Sequence, residues 1–239
     1  MKYVGSKNKI AKYIVPIIQR YIDKGCNGVL IPFCGGANIE DKLKHDNIIS
    51  SDINEYLIEL LIKTRDDFNN LPLKTTKDEY IKIKNNKNIY PKWLVGLYEF
   101  CASYNSKSWA GYCGDCKTKQ GIRHYDQEAI RNLIKQAANL KGIKFECRSY
   151  LDIDRNISGY VIYCDPPYRD TTKYKTGGFD YDTYYQWVRD MSKNNIVICS
   201  EYWMPDDFTC IWEKEVRMSL DKNSSKQNRI EKLYIYEAK

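Results

Sequence analysis

The sequence has 239 residues, with 38 Lys and Arg against 31 Asp and Glu for a net charge of +7, 43% hydrophobic residues, nine Cys and two His. That length supports one sizeable core, or one core with a smaller appendage, and no stretch reaches the roughly 18 uninterrupted apolar residues of a membrane span, because Lys12, Pro16 and Gln19 break even the Ile-rich start. The odd cysteine count fits a reducing compartment better than a disulfide framework, His45 and His124 are too few for a histidine-rich metal centre, and Met1-Lys2-Tyr3-Val4-Gly5 lacks a secretion signal's apolar block, so a cytoplasmic protein is expected.

Apolar positions Ile10, Ile14, Ile17, Ile18, Tyr21 and Ile22 recur at helical spacing, which predicts an amphipathic helix over 7–22, bent where Pro16 removes a backbone donor. Gly25 and Gly28 end it. Val29-Leu30-Ile31 reads as a buried strand, followed by the loop Pro32-Phe33-Cys34-Gly35-Gly36 and a predicted helix over 38–43. A second strand, 48–51, stops at Asp52, and 54–63 is helical again. Strand, glycine loop, helix, strand and acid make one half of a doubly wound nucleotide-binding sheet. From Lys63 to about residue 125 the alternation gives way to Lys- and Asn-rich stretches and aromatic-rich helical pieces, with Lys82 to Asn88 read as a solvated loop. A helix over 126–138 and a strand over 143–147 resume the pattern. The buried strand 159–164 ends at Asp165-Pro166-Pro167-Tyr168; a Gly-containing loop, a helix over 182–192, a strand over 196–200 and β-rich segments near 208–217 and 232–237 follow. The organisation expected is an α/β domain, 1–62 plus 126–239, carrying an insertion, 63–125.

Asp165-Pro166-Pro167-Tyr168 is the most informative feature, because ligands of open α/β sheets bind at the carboxyl ends of the strands. An exocyclic amino group on a base has its lone pair delocalised into the ring, and becomes nucleophilic as the nitrogen approaches tetrahedral geometry. An aspartate and a backbone carbonyl accepting its two hydrogens favour that change. Two prolines restrict φ and hold the Pro166 carbonyl toward a pocket, and Tyr168 offers a flat face for a base taken out of its stack. A methyl donor whose leaving group is a neutral thioether demands no basic histidine. The plain alternative is an ordinary post-strand turn. The Phe33-Cys34-Gly35-Gly36 loop admits close approach of a ligand to the backbone. Asp52 is placed either to accept from ribose hydroxyls or to cap the helix that follows.

Taken in order, Tyr3-Val4-Gly5-Ser6-Lys7, Pro32-Phe33-Cys34-Gly35-Gly36, Asp52-Ile53-Asn54 and Asp165-Pro166-Pro167-Tyr168 resemble the Dam-like class of S-adenosylmethionine-dependent DNA adenine-N6 methyltransferases. The resemblance implies a Rossmann-like class I methyltransferase sheet with a mainly helical target-recognition region inserted between glycine loop and catalytic motif. It implies S-adenosylmethionine as methyl donor, no metal, and double-stranded DNA as partner. It assigns cofactor contacts to Tyr3, Lys7, Phe33, Cys34, Gly35, Gly36, Asp52 and Asp165, and catalysis to Asp165, Pro166, Pro167 and Tyr168. Ser6 and the Ala37-Asn38 pair depart from the family's usual glycines, which implies altered cofactor affinity at most. Related motifs also serve cytosine or RNA amino methylation, and an inactive nucleic-acid-binding relative is the remaining alternative. A monomer acting in the cytoplasm of a bacterial or phage-infected cell is expected.

The family's familiar recognition hairpin is replaced by Ser103-Tyr104-Asn105-Ser106, so the target sequence does not carry over. Lys107, Lys117, Lys119 and Arg123 among Trp109, Tyr112 and Tyr125 suit phosphate contacts with an aromatic wedge, or else form a solvated basic loop over aromatic core residues. Charge supports the first reading: residues 63–125 carry 12 basic and 6 acidic side chains, against 8 and 7 in 1–62 and 18 and 18 in 126–239. Cys113-Gly114-Asp115-Cys116, with Cys101 and His124, is a weak zinc signal; Cys34, Cys164 and Cys199 read as small buried apolar residues, and Cys34 has no basic neighbour to activate it.

Overall fold

A computed structural model of the chain describes residues 1–119, 121–168, 178–217 and 228–237. Short apolar runs form the sheet: β1 (Gly28–Ile31), β2 (Ile48–Asp52), β5 (Lys144–Cys147), β6 (Tyr160–Cys164) and β7 (Ile196–Glu201) pair in parallel. A hairpin of β8 (Thr209–Arg217) and β9 (Asn228–Ile235) joins the β7 edge antiparallel. The order is β5-β2-β1-β6-β7-β9-β8. Side chains alternate between two cores, as the strand period requires. Val29, Ile31, Val161, Tyr163 and Ile198 face one way and Leu30, Ile162, Cys164, Val197 and Cys199 the other. Helices cover both faces: α1 (Ala11–Ile22), α2 (Glu55–Asp67) and α5 (Tyr125–Gln136) on the first, α6 (Tyr181–Met191) on the second. This is the expected doubly wound sheet. Its order reverses between β1 and β6, so the loops leaving those two strands flank the crevice where such sheets take ligands.

Three local expectations change. The helix predicted over 7–22 is a 3-10 turn (Lys7–Lys9) followed by α1, because the Ser6 hydroxyl accepts from the Asn8 amide and closes the turn first; α1 then runs through Pro16. The turn sends the Lys7 side chain inward, where it is 7% exposed. Over 38–43 the helix reduces to a 3-10 turn at Glu40–Lys42. Backbone carbonyls that would feed it are taken by side chains, those of Gly36 and Ala37 by Gln136 Nε2 and that of Asn38 by Lys42 Nζ. The stretch read as a solvated loop over 82–88 is the end of α3 (Lys77–Asn85), whose N-terminus is capped by Thr76, and the start of a 3-10 turn.

The middle segment shares the core of the first face. Leu71, Tyr80, Ile83, Val95, Leu97, Tyr98 and Phe100 belong to the same cluster as Ile14, Leu57, Leu61 and Ile130, so the edge expected at 62/63 falls within α2. Helix α4 (Lys92–Gly96) lies directly on α2, with Gly96 so close that an added Cβ would stand 2.1 Å from the Tyr56 carbonyl oxygen. The chain continues through one π turn (Leu97–Cys101) to an exposed antiparallel hairpin, β3 (Asp115–Thr118) and β4 (Gly121–His124). Asp126 at the start of α5 accepts from both the amide and hydroxyl of Thr75, at 2.9 Å each, and ties the two ends of the segment together.

Candidate active site

The glycine loop leaves β1 and is fixed to β2 twice. The Cys34 amide donates to the Ser51 carbonyl at 2.9 Å, and the Gly35 amide to Asp52 Oδ2 at 3.2 Å. Gly35 has φ +47°, a left-handed conformation that glycine adopts without strain. Tyr3 lies directly on the pair: a Cβ on Gly35 would meet its ring at 3.0 Å, and one on Gly36 would meet its Cβ at 2.8 Å. Gln136 of α5, through the carbonyl contacts above, braces the loop from behind. Asp52 Oδ1 accepts from the Asn54 amide at 3.0 Å, but the side chain capping α2 is Asn54, which accepts from Leu57. Burial pushes the Asp52 carboxyl up, against the hydrogen bonds that favour its charge. Phe33 packs among Tyr150, Phe179 and Tyr184 at centroid distances of 5.3 to 5.9 Å. Cys34 is buried, and burial first, with Asp52 and Glu40 adding, raises its thiol far above the range of a nucleophile.

The second loop begins at Asp165 where β6 ends. Asp165 Oδ1 stands 3.1 Å from Lys7 Nζ, and the same ammonium stands 3.4 Å from Glu231 Oε2. Lys7 also lies 4.0 Å from the centroid of the Tyr168 ring, a cation–π contact. The Tyr168 hydroxyl donates to Glu231 Oε2 at 2.9 Å and lies 2.7 Å from Ser200 Oγ. Burial dominates the electrostatics, pushing Asp165 up to about 6, helped by Glu231 and opposed by Lys7. For Lys7 burial works against the charge, but Asp165 and Glu231 outweigh it and hold the ammonium above its ordinary value. The Pro167 carbonyl accepts from the Tyr181 hydroxyl at 2.8 Å, which pins the diproline segment.

The structure thus gathers Tyr3 and Asp52 around Gly35 and Gly36 of one loop, and Lys7 against Asp165 and Tyr168 of its neighbour. Lys7 sits with Asp165 rather than with the glycine pair. Tyr168 is 8% exposed, with Lys7 on its ring and Tyr202 edge-on at 4.6 Å, so it is not an open platform here. Sequence reasoning missed Glu231, Ser200, Tyr181 and Gln136. Glu231 escaped because β9 begins at Asn228, four residues before the predicted segment, and Asn-Arg-Ile-Glu-Lys has the look of a surface loop.

The basic candidates separate. Lys107, Lys117 and Lys119 are exposed, the last two on or beside the hairpin. Arg123 is forked onto Glu128, Nε to Oε1 at 2.9 Å and Nη2 to Oε2 at 2.6 Å, with its guanidinium over Tyr125. Trp109 packs against Tyr80 at 5.2 Å with Lys87 over its ring, at a backbone φ of +49°. Cys113 donates to the Cys101 carbonyl and Cys116 is exposed. Among the described residues no three His, Cys, Asp or Glu side chains gather as a metal site, and no helix is long and apolar enough to cross a membrane.

Comparison with known proteins shows the family of the chain. The model of the D12 class N6 adenine-specific DNA methyltransferase family matches residues 3–196. Type II methyltransferase M.FokI of Planomicrobium okeanokoites is 28% identical over 194 residues, which are 72% of this chain and 29% of that protein. DNA adenine methylase of Serratia marcescens is 25% identical over 205 residues, 75% of this chain and 72% of its own. The chain therefore spans less than a third of the length of M.FokI.

Proposed function

The chain belongs to the D12 class of N6 adenine-specific DNA methyltransferases, and from that membership we propose that it transfers a methyl group from S-adenosylmethionine to the N6 amino group of an adenine swung out of double-stranded DNA. The observation that carries the reading is Asp165, a carboxylate at the crevice edge of β6, the strand paired with β1, held 3.1 Å from the buried Lys7.

The residues present fit the donor. Gly35 and Gly36 leave a cradle beside Tyr3 that a Cβ would fill, and Asp52 closes it with a carboxylate whose described partners are backbone amides. Gly35, Gly36 and Tyr3 would hold the amino-acid portion and Asp52 the ribose hydroxyls. When bound, the donor supplies an electrophilic methyl on a sulfonium.

The chain's own contribution is to the nucleophile. Asp165 and the Pro166 carbonyl accept hydrogen bonds from the two amino hydrogens of adenine, which draws the nitrogen lone pair out of the ring. The methylated nitrogen must then lose a proton, and Asp165, pushed up to about 6, is able to take it at a carboxylate oxygen. Tyr181 fixes the diproline backbone through the Pro167 carbonyl. Stacking of the base on Tyr168 requires the side chains over its ring to move when DNA binds. The exposed lysines of the middle segment would meet phosphates. The proposed setting is a monomer acting in the cytoplasm of a bacterial or phage-infected cell.

Incubation of genomic DNA with protein and donor, followed by methylation-sensitive sequencing, tests the reading. Methyl groups on adenine at a defined sequence are expected. Methylated cytosine with unmodified adenine would replace the substrate, and donor-independent DNA binding alone would leave an inactive relative.

A further inference from the structure

The family match ends at residue 196, and the acid most closely joined to the catalytic loop lies beyond it, on β9. We propose that Glu231 is a positioning residue of the transfer site: by holding the far side of the Lys7 ammonium, it keeps Lys7 from neutralising Asp165 and leaves that carboxylate able to accept from the target amino group. The inference rests on the methyl-transfer reading above.

One ammonium, with its side chain 7% exposed, faces two carboxylates whose side chains are 19% and 12% exposed. A lysine and an aspartate alone in such surroundings would form a closed ion pair, and an acid so paired is a poor acceptor for a neutral amine. Glu231, at 3.4 Å against 3.1 Å for Asp165, divides the ammonium between two partners and leaves the triad with one net negative charge. A purely structural role explains this arrangement less well. The Tyr168 hydroxyl already has Ser200 within 2.7 Å, so a buried acid is not needed to satisfy it, and a neutral side chain would avoid the cost of burying a second carboxylate.

Several ionisable side chains surround Asp165. Lys7 comes from the 3-10 turn, Glu231 from β9, Tyr168 from the same loop, and Tyr163 and Cys164 from β6, while Tyr202, at the end of β7 with the Arg229 guanidinium over its ring, faces Lys7 and Glu231. Of these, Glu231 is the second negative charge and Lys7 the positive charge nearest the acid. Burial and Glu231 hold the Asp165 carboxyl up, at about 6, and Lys7 draws it down. Removal of the Glu231 charge leaves burial alone to oppose the pull of Lys7.

The test is Glu231→Gln, which keeps the shape and hydrogen-bonding reach of the side chain. Two readouts are taken: the titration of the Asp165 carboxyl carbon by 13C NMR without donor or DNA, assigned with Asp165→Asn, and kcat against pH at saturating donor and DNA. The midpoint, near 6 in the native protein, is expected to fall, and the acid limb of kcat to move down with it. The plateau kcat should drop about tenfold while donor affinity holds within about twofold. Glu231→Asp, which restores the charge, should recover part of the rate and return the midpoint toward the native value. Should the Gln variant fail to fold, Glu231→Thr removes the same charge with a residue suited to a strand and is read the same way. An unmoved midpoint, or an unchanged plateau kcat, overturns the proposal. If the native protein methylates no DNA, the functional reading fails by itself, and the carboxyl titration still decides whether Glu231 restrains Lys7.

Discussion

The crevice edge of the sheet and the inserted middle segment were both marked in the sequence as functional, and the structure treats them differently. At the edge, residues from positions as distant as 3, 7, 35, 52, 165 and 168 converge on two neighbouring loops. In the middle, five candidates within 17 positions scatter: three lysines are exposed, Arg123 is tied to Glu128, and Trp109 is half-buried against the core beside Tyr80. Edge residues are placed by strand ends, which the chain's hydrophobic pattern dictates. Insertion residues are placed by whichever neighbours happen to meet them, and no local pattern announces those.

The sharpest way to break the contrast is Asp165→Ala. Methyl transfer should fall by about a thousandfold or more, the scale of losing a principal catalytic group, while donor binding measured by calorimetry persists. Substantial residual transfer would mean that the edge is not where the chemistry occurs. Next in size, Trp109→Ala should cost about 2–3 kcal/mol in denaturant unfolding through lost packing, with DNA affinity of the folded fraction unchanged. A loss of DNA affinity without a loss of stability would return Trp109 to the role of a wedge.

A third measurement sharpens the edge itself. Glu40, buried beneath the glycine loop with Ser50 donating to it at 2.5 Å, is pushed up by burial to about 7. Because the folded protein holds this proton more tightly than the unfolded chain, Glu40 makes stability fall as pH rises from its ordinary value of 4.5 through about 7. Glu40→Gln should remove that slope and raise stability at pH 8 on the order of 2 kcal/mol, with little change at pH 4. A variant as pH-sensitive as the native protein would place the slope elsewhere.

The smallest effect belongs to the lysines. Replacing Lys107, Lys117 and Lys119 by Ala should weaken DNA binding about tenfold and lower the slope of log K against log salt by about 2, with donor affinity unchanged. Adding Arg123→Ala should do little more, because Glu128 already engages that guanidinium. Unaltered DNA binding in the triple variant would make the segment's surplus charge a solubility feature.

The same contrast explains what the sequence made legible. The parallel strands β1, β2, β5, β6 and β7 and the loops after β1 and β6 followed from short apolar runs ended by Gly, Asp and Pro, and those loops carry the site; the β3–β4 hairpin, in a stretch expected to be mainly helical, did not. The 3-10 turn at Lys7 was not legible, because a helical pattern from Ile10 onward masks a cap made by Ser6. The helix expected over 38–43 failed for a tertiary reason, since Gln136, about a hundred residues away, takes the carbonyls of Gly36 and Ala37 just ahead of it. Glu231 was hidden by register: only pairing with β8 reveals that a charged stretch is a strand, and only its position beside Lys7 and Tyr168 reveals its use.

The central claim is that the crevice edge methylates adenine through Asp165. Its most direct test is to incubate duplex DNA with the native protein and methyl-labelled S-adenosylmethionine, digest to nucleosides and locate the label by mass spectrometry. Label is expected in N6-methyl-2′-deoxyadenosine from the native protein and none from Asp165→Ala. Label in a cytosine nucleoside, or equal label from the two proteins, would contradict the claim.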